Sequence, residues 1–213
     1  MTRARARGFT LIEVLLATVL LAAGLALAFA TLRSATQMTG RGEAIAQRNE
    51  RMRAVEGFLR KRIASAQPIA FETEAGTQRG LRFVGDARRM RFVADLPDYL
   101  GRGGPYLHEL AFDGDGALTV QFAMVLAGHT IRENPARGPE PLAEGLRTVR
   151  FRYRGIDGKG GLGEWRERWE TAESLPAQVE VEIASADGAS WPRLVVGLAQ
   201  GDGGQAGADE TLQ

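Results

Sequence analysis

Gly8-Phe9-Thr10-Leu11-Ile12-Glu13-Val14-Leu15-Leu16-Ala17 opens the apolar run that decides the fold. Of the 24 residues 9–32, only Thr10, Glu13, Thr18 and Thr31 are neither apolar nor Gly. At about 1.5 Å per residue a helix of that length reaches roughly 36 Å, enough to cross a bilayer core of about 30 Å with some tilt. The run holds no Pro and a single Gly, Gly24, and ends at Arg33, a residue for headgroups or water. Arg3, Arg5 and Arg7 precede it with no acid among them, so the positive-inside bias predicts a cytoplasmic N-terminus and an exported remainder. A secretory signal peptide has a shorter apolar region, of about 7 to 15 residues, and a small-residue cleavage site after it. Here the run is longer, and the small residue, Gly8, comes before it.

Glu13 is the ionisable exception inside the run. A carboxylate costs about 2.5 kcal/mol or more near the centre of a membrane helix, less near the interface, and such groups usually have a partner. A cut after Gly8 would supply one: the new ammonium of Phe9 lies one turn from Glu13, on the same face. In a neighbouring helix shifted along the axis, the same carboxylate would meet that helix's ammonium and set the register.

Gly8-Phe9-Thr10-Leu11-Ile12-Glu13-Val14 resembles the class III signal of type IV pilins and type II secretion pseudopilins. The resemblance implies that a prepilin peptidase cuts after Gly8 and methylates Phe9, and that Glu13, the fifth mature residue, guides assembly. A second resemblance lies in the C-terminal half. Leu146-Arg147-Thr148-Val149-Arg150-Phe151-Arg152-Tyr153, then Trp165 and Trp169, then Leu175-Pro176 before Val179-Glu180-Val181, is similar to the J-type minor pseudopilin of the type II secretion system. That family implies a structural subunit of the pseudopilus tip, which helps to push folded proteins through the outer membrane. Its implied partners are the I-type and K-type minor pseudopilins, the major pseudopilin, the peptidase and inner-membrane lipid, with the sheet domain in the periplasm. Trp165 and Trp169 read either as core or lid aromatics or as partner contacts. A minor pilin of a type IV pilus shares the same assembly physics, but many of those close a C-terminal loop with a Cys pair, and this chain has no Cys. An anchored enzyme or binding module outside the family would not need a cut at Gly8.

The remainder predicts an α+β fold of type IV pilin-like plan: a long N-terminal helix followed by an antiparallel sheet domain. Residues 1–8 form the leader, 9–32 the transmembrane and assembly helix, 33–67 its amphipathic continuation, 68–199 the β-rich domain and 200–213 a disordered tail. Ile45, Met52, Val55, Leu59 and Ile63 fall on one face of the continuation, Gly40 and Gly42 threaten to loosen its start, and Pro68 stops it. Short strands are expected at 81–84, 91–94, 108–113, 118–125, 149–154, 178–184 and 193–198. In two of them Phe151 and Tyr153 alternate with Arg150, Arg152 and Arg154, and Val179, Val181 and Ile183 with Glu180 and Glu182. The apolar sides should be buried, the charged sides solvated, and the charges should pair if the strands are neighbours. The stretch between Ile69 and Glu144 carries no motif.

At 213 residues and 23.0 kDa, 44% hydrophobic and 25% charged, the chain has room for one globular domain beyond the helix. Its formal charge of +1 counts 27 basic against 26 acidic residues, and loss of the three leader arginines would leave 24 basic residues. That balance offers no basic surface for nucleic acid. Without Cys the domain must hold together without disulfides. Asp113-Gly114-Asp115-Gly116 reads as a hairpin turn, lacking the further ligands of a calcium loop. Asp157-Gly158-Lys159-Gly160-Gly161 lacks phosphate-loop spacing and reads as a flexible loop, and 101–105 and 134–141 read as Gly/Pro-rich loops. His108 and His129 show no metal-ligand spacing and no Gly-x-Ser-x-Gly elbow occurs, so neither catalysis, a metal nor a cofactor is expected.

Overall fold

The computed structural model describes residues 9–74, 76, 78–96, 103–131, 138–189 and 191–199. The leader 1–8 with Gly8, the tail 200–213 and parts of the loops 101–105 and 134–141 lie outside the described residues. The chain divides into two compact units, Met1–Arg51 and Met52–Gln213.

The helix α1 runs over Leu11–Ala64 and takes up much of the first unit. Within it Leu11–Ser34 is long and apolar enough to cross a membrane, and none of that stretch is buried. The helix passes through Gly40 and Gly42 unbroken. Each Gly costs only about 1 kcal/mol relative to Ala, too little to open a continuous ladder of backbone hydrogen bonds. The expected end at Gln67 is corrected to Ala64, because Ala66–Gln67 leaves the helix as strand β1 and pairs with Ala94 and Val93 before Pro68 is reached.

The second unit carries the remaining strands: β2 (Glu72–Thr73), β3 (Gly80–Leu81), β4 (Phe83–Gly85), β5 (Arg89–Asp95), β6 (Pro105–Phe112), β7 (Leu118–Leu126), β8 (His129–Ile131), β9 (Glu140–Ala143), β10 (Leu146–Arg154), β11 (Gln178–Ser185) and β12 (Leu194–Gly197). A seven-stranded sheet has the order β1-β5-β6-β7-β8, with β4 also on β5 and β9 also on β7. A three-stranded sheet has the order β10-β11-β12, and β2-β3 is a small ribbon. Pairings are antiparallel throughout.

The single strand expected at 81–84 is two. Arg82 and Phe83 both donate their N–H groups to the Ala172 carbonyl, so Leu81 stays with β2 while Phe83 joins β5. Strands β1, β2, β8 and β9 escaped the sequence because runs of two to four residues show no alternation to read. Thus Glu140 and Pro141, expected in a loop, sit in β9, and His129 and Pro105 begin strands.

The core forms where the last turns of α1, through Val55, Leu59 and Ile63, meet one face of the larger sheet and the inner face of the smaller one. Met90, Phe92, Leu110, Leu118 and Val120 come from the first sheet, and Val149, Phe151, Tyr153, Val179 and Val181 from the second. The opposite face of the larger sheet buries a smaller group, Phe71, Val93, Leu107 and Val125. Asp113 to Gly116 makes the expected hairpin between β6 and β7, with Asp113 Oδ1 accepting from the N–H groups of Asp115 and Ala117. The loop at Asp157 forms a hydrogen-bonded turn. Asp157 Oδ1 accepts from Lys159 and Gly161, and its own N–H donates to the Gly161 carbonyl at 2.7 Å.

Candidate functional site

The N-terminal site is built by a helix start. Thr10 precedes the first residue of α1, and Glu13 lies in its first turn. The Glu13 carboxylate accepts from the Thr10 backbone N–H at 2.9 Å and from the Thr10 hydroxyl at 2.9 Å. In return the Glu13 N–H donates to the Thr10 hydroxyl oxygen at 3.3 Å. This is a capping box: two donors that the helix ladder leaves unpaired are satisfied reciprocally by Thr10 and Glu13. Thr-x-x-Glu ahead of an apolar run is a helix-start signature, and that signal was available in the sequence. Glu13 is therefore partnered within its own chain, so any intermolecular partner must compete with Thr10. Phe9 is 86% exposed, and the large apolar side chains that follow it along the helix are exposed as well. Gly8 lies outside the described residues.

Trp165 and Trp169 belong to a strap that leaves β10 and reaches β11. Tyr153 and Arg166 exchange backbone hydrogen bonds of 2.8 Å, Trp169 N–H donates to the Gly85 carbonyl, and the Ala172 carbonyl accepts from Arg82 and Phe83. The strap thus covers the free edge of β10 and then that of β4, joining the two sheets. Trp169 packs on the core, and its indole N–H donates to the Ser174 carbonyl at 2.8 Å. Trp165 is half-buried and stacks under the Arg154 guanidinium, which lies 4.4 Å from the ring centre. Beneath the strap the Tyr153 hydroxyl donates to the Asp86 carbonyl at 2.8 Å, and burial holds its pKa well above the usual value. Its ring occupies the space a side chain at Gly85 would need, since a Cβ there would run into the ring at Cζ.

The charged sides of β10 and β11 do pair. Arg152 stands opposite Glu180 and Arg150 opposite Glu182. Glu180, expected to be solvated, is fully buried. Its oxygens are held by ion pairs, with Arg152 at 2.5 Å and with Arg193 just before β12, rather than by well-angled hydrogen bonds. His108 is likewise buried, stacked on Phe92 and edge-on to Phe122. Among the described residues no group of three or more His, Cys, Asp or Glu side chains is arranged to hold a metal.

Among the described residues an uncovered apolar helix of membrane-crossing length, with a capped start, is followed by antiparallel sheets, the plan of an α+β subunit with an N-terminal anchor helix. The family model for the prokaryotic N-terminal methylation motif matches residues 3–29, and that for type II secretion system (T2SS), protein J, matches residues 30–196. The chain belongs to the type II secretion system protein J family and is a minor pseudopilin. It is 54% identical over 208 residues to the type II secretion system protein J of Xanthomonas campestris pv. campestris, covering 96% of this chain and 98% of that one. A similar solved structure is the GspK-GspI-GspJ complex from the enterotoxigenic Escherichia coli type 2 secretion system. The match to it is 16% identical, with a TM-score of 0.47, over 68% of this chain and 92% of that chain.

Proposed function

We propose that this minor pseudopilin is made as a precursor anchored in the inner membrane, with residues 1–8 in the cytoplasm and the sheet domain in the periplasm. Prepilin peptidase cuts after Gly8 and methylates Phe9. The mature helix then leaves lipid for a bundle with the I-type and K-type minor pseudopilins and the major pseudopilin, and Glu13 exchanges its Thr10 cap for a neighbour's N-terminal ammonium. Lipid contacts given up by the apolar helix are replaced by side-chain packing in the bundle. The subunit is a structural part of the tip that supports export of folded proteins across the outer membrane, with no catalysis of its own. The observation that supports this reading most is the wholly uncovered apolar stretch Leu11–Ser34 that begins just beyond the Gly8-Phe9 junction.

The test is intact-mass and N-terminal analysis of full-length protein made with and without prepilin peptidase. The expected product begins at methylated Phe9 only when the peptidase is present, and it co-purifies with the I-type and K-type subunits. Replacing Glu13 with Val should leave the cut intact and lower that co-purification about tenfold or more, the scale set by loss of a desolvated ion pair. A full-length product in both hosts would overturn the proposal.

A further inference from the structure

An aspartyl side chain can close on the backbone nitrogen of the next residue, and a following Gly puts no side chain in the way of that approach. Among the described residues Asp is followed by Gly at Asp113, Asp115, Asp157 and Asp187, and all four Asp are exposed. Asp202-Gly203 lies outside the described residues.

Three of the four carboxylates are tied down. Asp113 Oδ1 accepts from the N–H groups of Asp115 at 2.9 Å and Ala117 at 3.1 Å. Asp157 Oδ1 accepts from Lys159 at 2.9 Å and Gly161 at 2.8 Å, and Asp187 Oδ1 accepts from Ala189 at 3.0 Å. Each must give up these bonds before its Cγ can swing to the next nitrogen, and a hydrogen bond to a charged acceptor is worth a factor of about ten. Asp115 is different. Among the described residues its carboxylate has no hydrogen bond or ion pair, and the Gly116 N–H has no acceptor. The Gly116 carbonyl is engaged, accepting from the Leu146 N–H at 2.9 Å. That bond ties the turn between β6 and β7 to the first residue of β10, and so joins the larger sheet to the smaller.

We propose that Asp115 is a modification site, at which the side chain closes on the Gly116 nitrogen and the chain reopens as isoaspartate, loosening the tie to β10. In the first step a bond forms between the Gly116 nitrogen and Asp115 Cγ. One carboxyl oxygen leaves as water, taking the proton of the nitrogen and that of the acid, and a five-membered succinimide remains. Water then adds to the ring. Breaking the bond from nitrogen to Cγ restores aspartate, whereas breaking the bond from nitrogen to the main-chain carbonyl carbon sends the chain through the side chain. The product has the original mass, one extra backbone methylene just before Gly116, and a free α-carboxylate. No oxidant or cofactor is consumed. The inference goes beyond the reading of the chain as an assembly subunit and stands without it.

The test ages the purified full-length chain at neutral pH, folded and in urea. A protein isoaspartyl methyltransferase with labelled S-adenosylmethionine counts the product, and electron-transfer fragmentation of tryptic peptides locates it. In the folded chain isoaspartate at position 115 should exceed that at 113, 157 or 187 by about tenfold or more, the scale of the bonds that hold the other three. In urea those bonds are gone and the four positions should converge. Asp115→Glu keeps the charge but would need a six-membered ring, and should remove the signal. Asp115→Asn loses ammonia through the same ring and should reach the same product faster. Modified chain, separated from unmodified, should unfold at lower urea, and equal midpoints would overturn the loosened tie to β10. No isoaspartate at position 115 in the folded chain, equal amounts at the four positions, or a preference that survives urea would overturn the site itself.

Discussion

His108 shows how a single side chain sets the domain's response to acid. Its Nδ1–H donates to the Tyr106 carbonyl at 2.9 Å, while Nε2 has no hydrogen-bond partner among the described residues. Burial lowers its pKa from the usual 6.5 to about 4; the Tyr106 carbonyl and Asp95 oppose this and Arg62 adds to it. The unfolded chain therefore takes up a proton near pH 6.5 that the folded chain refuses until about pH 4. Stability is fully present above that window and is lost as pH falls through it, by about 3 kcal/mol. His108→Phe, a ring between Phe92 and Phe122, should flatten this. Comparing urea midpoints at pH 7 and pH 4.5, wild type should lose more than the variant, and equal losses would refute a buried neutral imidazole. The sequence placed His108 on a strand and went no further, because a lone histidine in an alternating run carries no sign of which face is covered. Thr10 was missed for another reason. Its spacing to Glu13 was in plain view, but a local cap and a distant ion pair compete for the same carboxylate, and the sequence does not weigh them.

At the scale of elements, alternation made the long strands legible and left the short ones hidden. Phe151 and Tyr153 against Arg150 and Arg152 gave the buried face of β10, because a one-residue slip would turn every apolar side chain outward, while its pairing with β11, left conditional on the two strands being neighbours, comes from the structure. The burial of Glu180 was not legible, since it depends on Arg193 arriving from the segment just before a third strand. Nor was the strap around Trp165 and Trp169, which has no period and is held by backbone bonds to Tyr153, Gly85, Arg82 and Phe83. The strap makes its two tryptophans unequal. Trp169→Ala removes an indole from the core and the bond to Ser174, and should cost about 3 kcal/mol. Trp165→Ala removes a half-buried ring and one cation–π contact, and should cost about 1 kcal/mol. Urea unfolding of the two variants checks the order. Equal losses, or a larger one for Trp165, would mean that the strap does not hold the two sheet edges as described.

The whole molecule joins two ways of handling apolar surface. One unit leaves it bare along Leu11–Ser34, as a membrane or a helix bundle requires, and the other closes its core within itself. With no Cys in the chain, that closure depends on packing, hydrogen bonds and ion pairs without any disulfide. The second unit begins at Met52 and includes Val55, Leu59 and Ile63, the helix residues that the core needs. A helix cut at Met52 is near the length of about 12 to 15 residues below which isolated helices are marginal, but here the sheets hold its buried face. Residues 52–199 expressed alone should therefore be soluble and unfold in one cooperative step, with sharp near-UV circular dichroism. Starting at residue 43 instead adds helical turns and should raise Tm by only a few degrees, the scale of about 1 kcal/mol in a domain of this size. Both forms should fail to enter membranes and to join an assembly, whereas the full-length chain should do both. A fragment with broad unfolding and weak near-UV signal would show that the domain needs the rest of its helix to fold. The anchor would then be part of the core's stability as well as of its assembly.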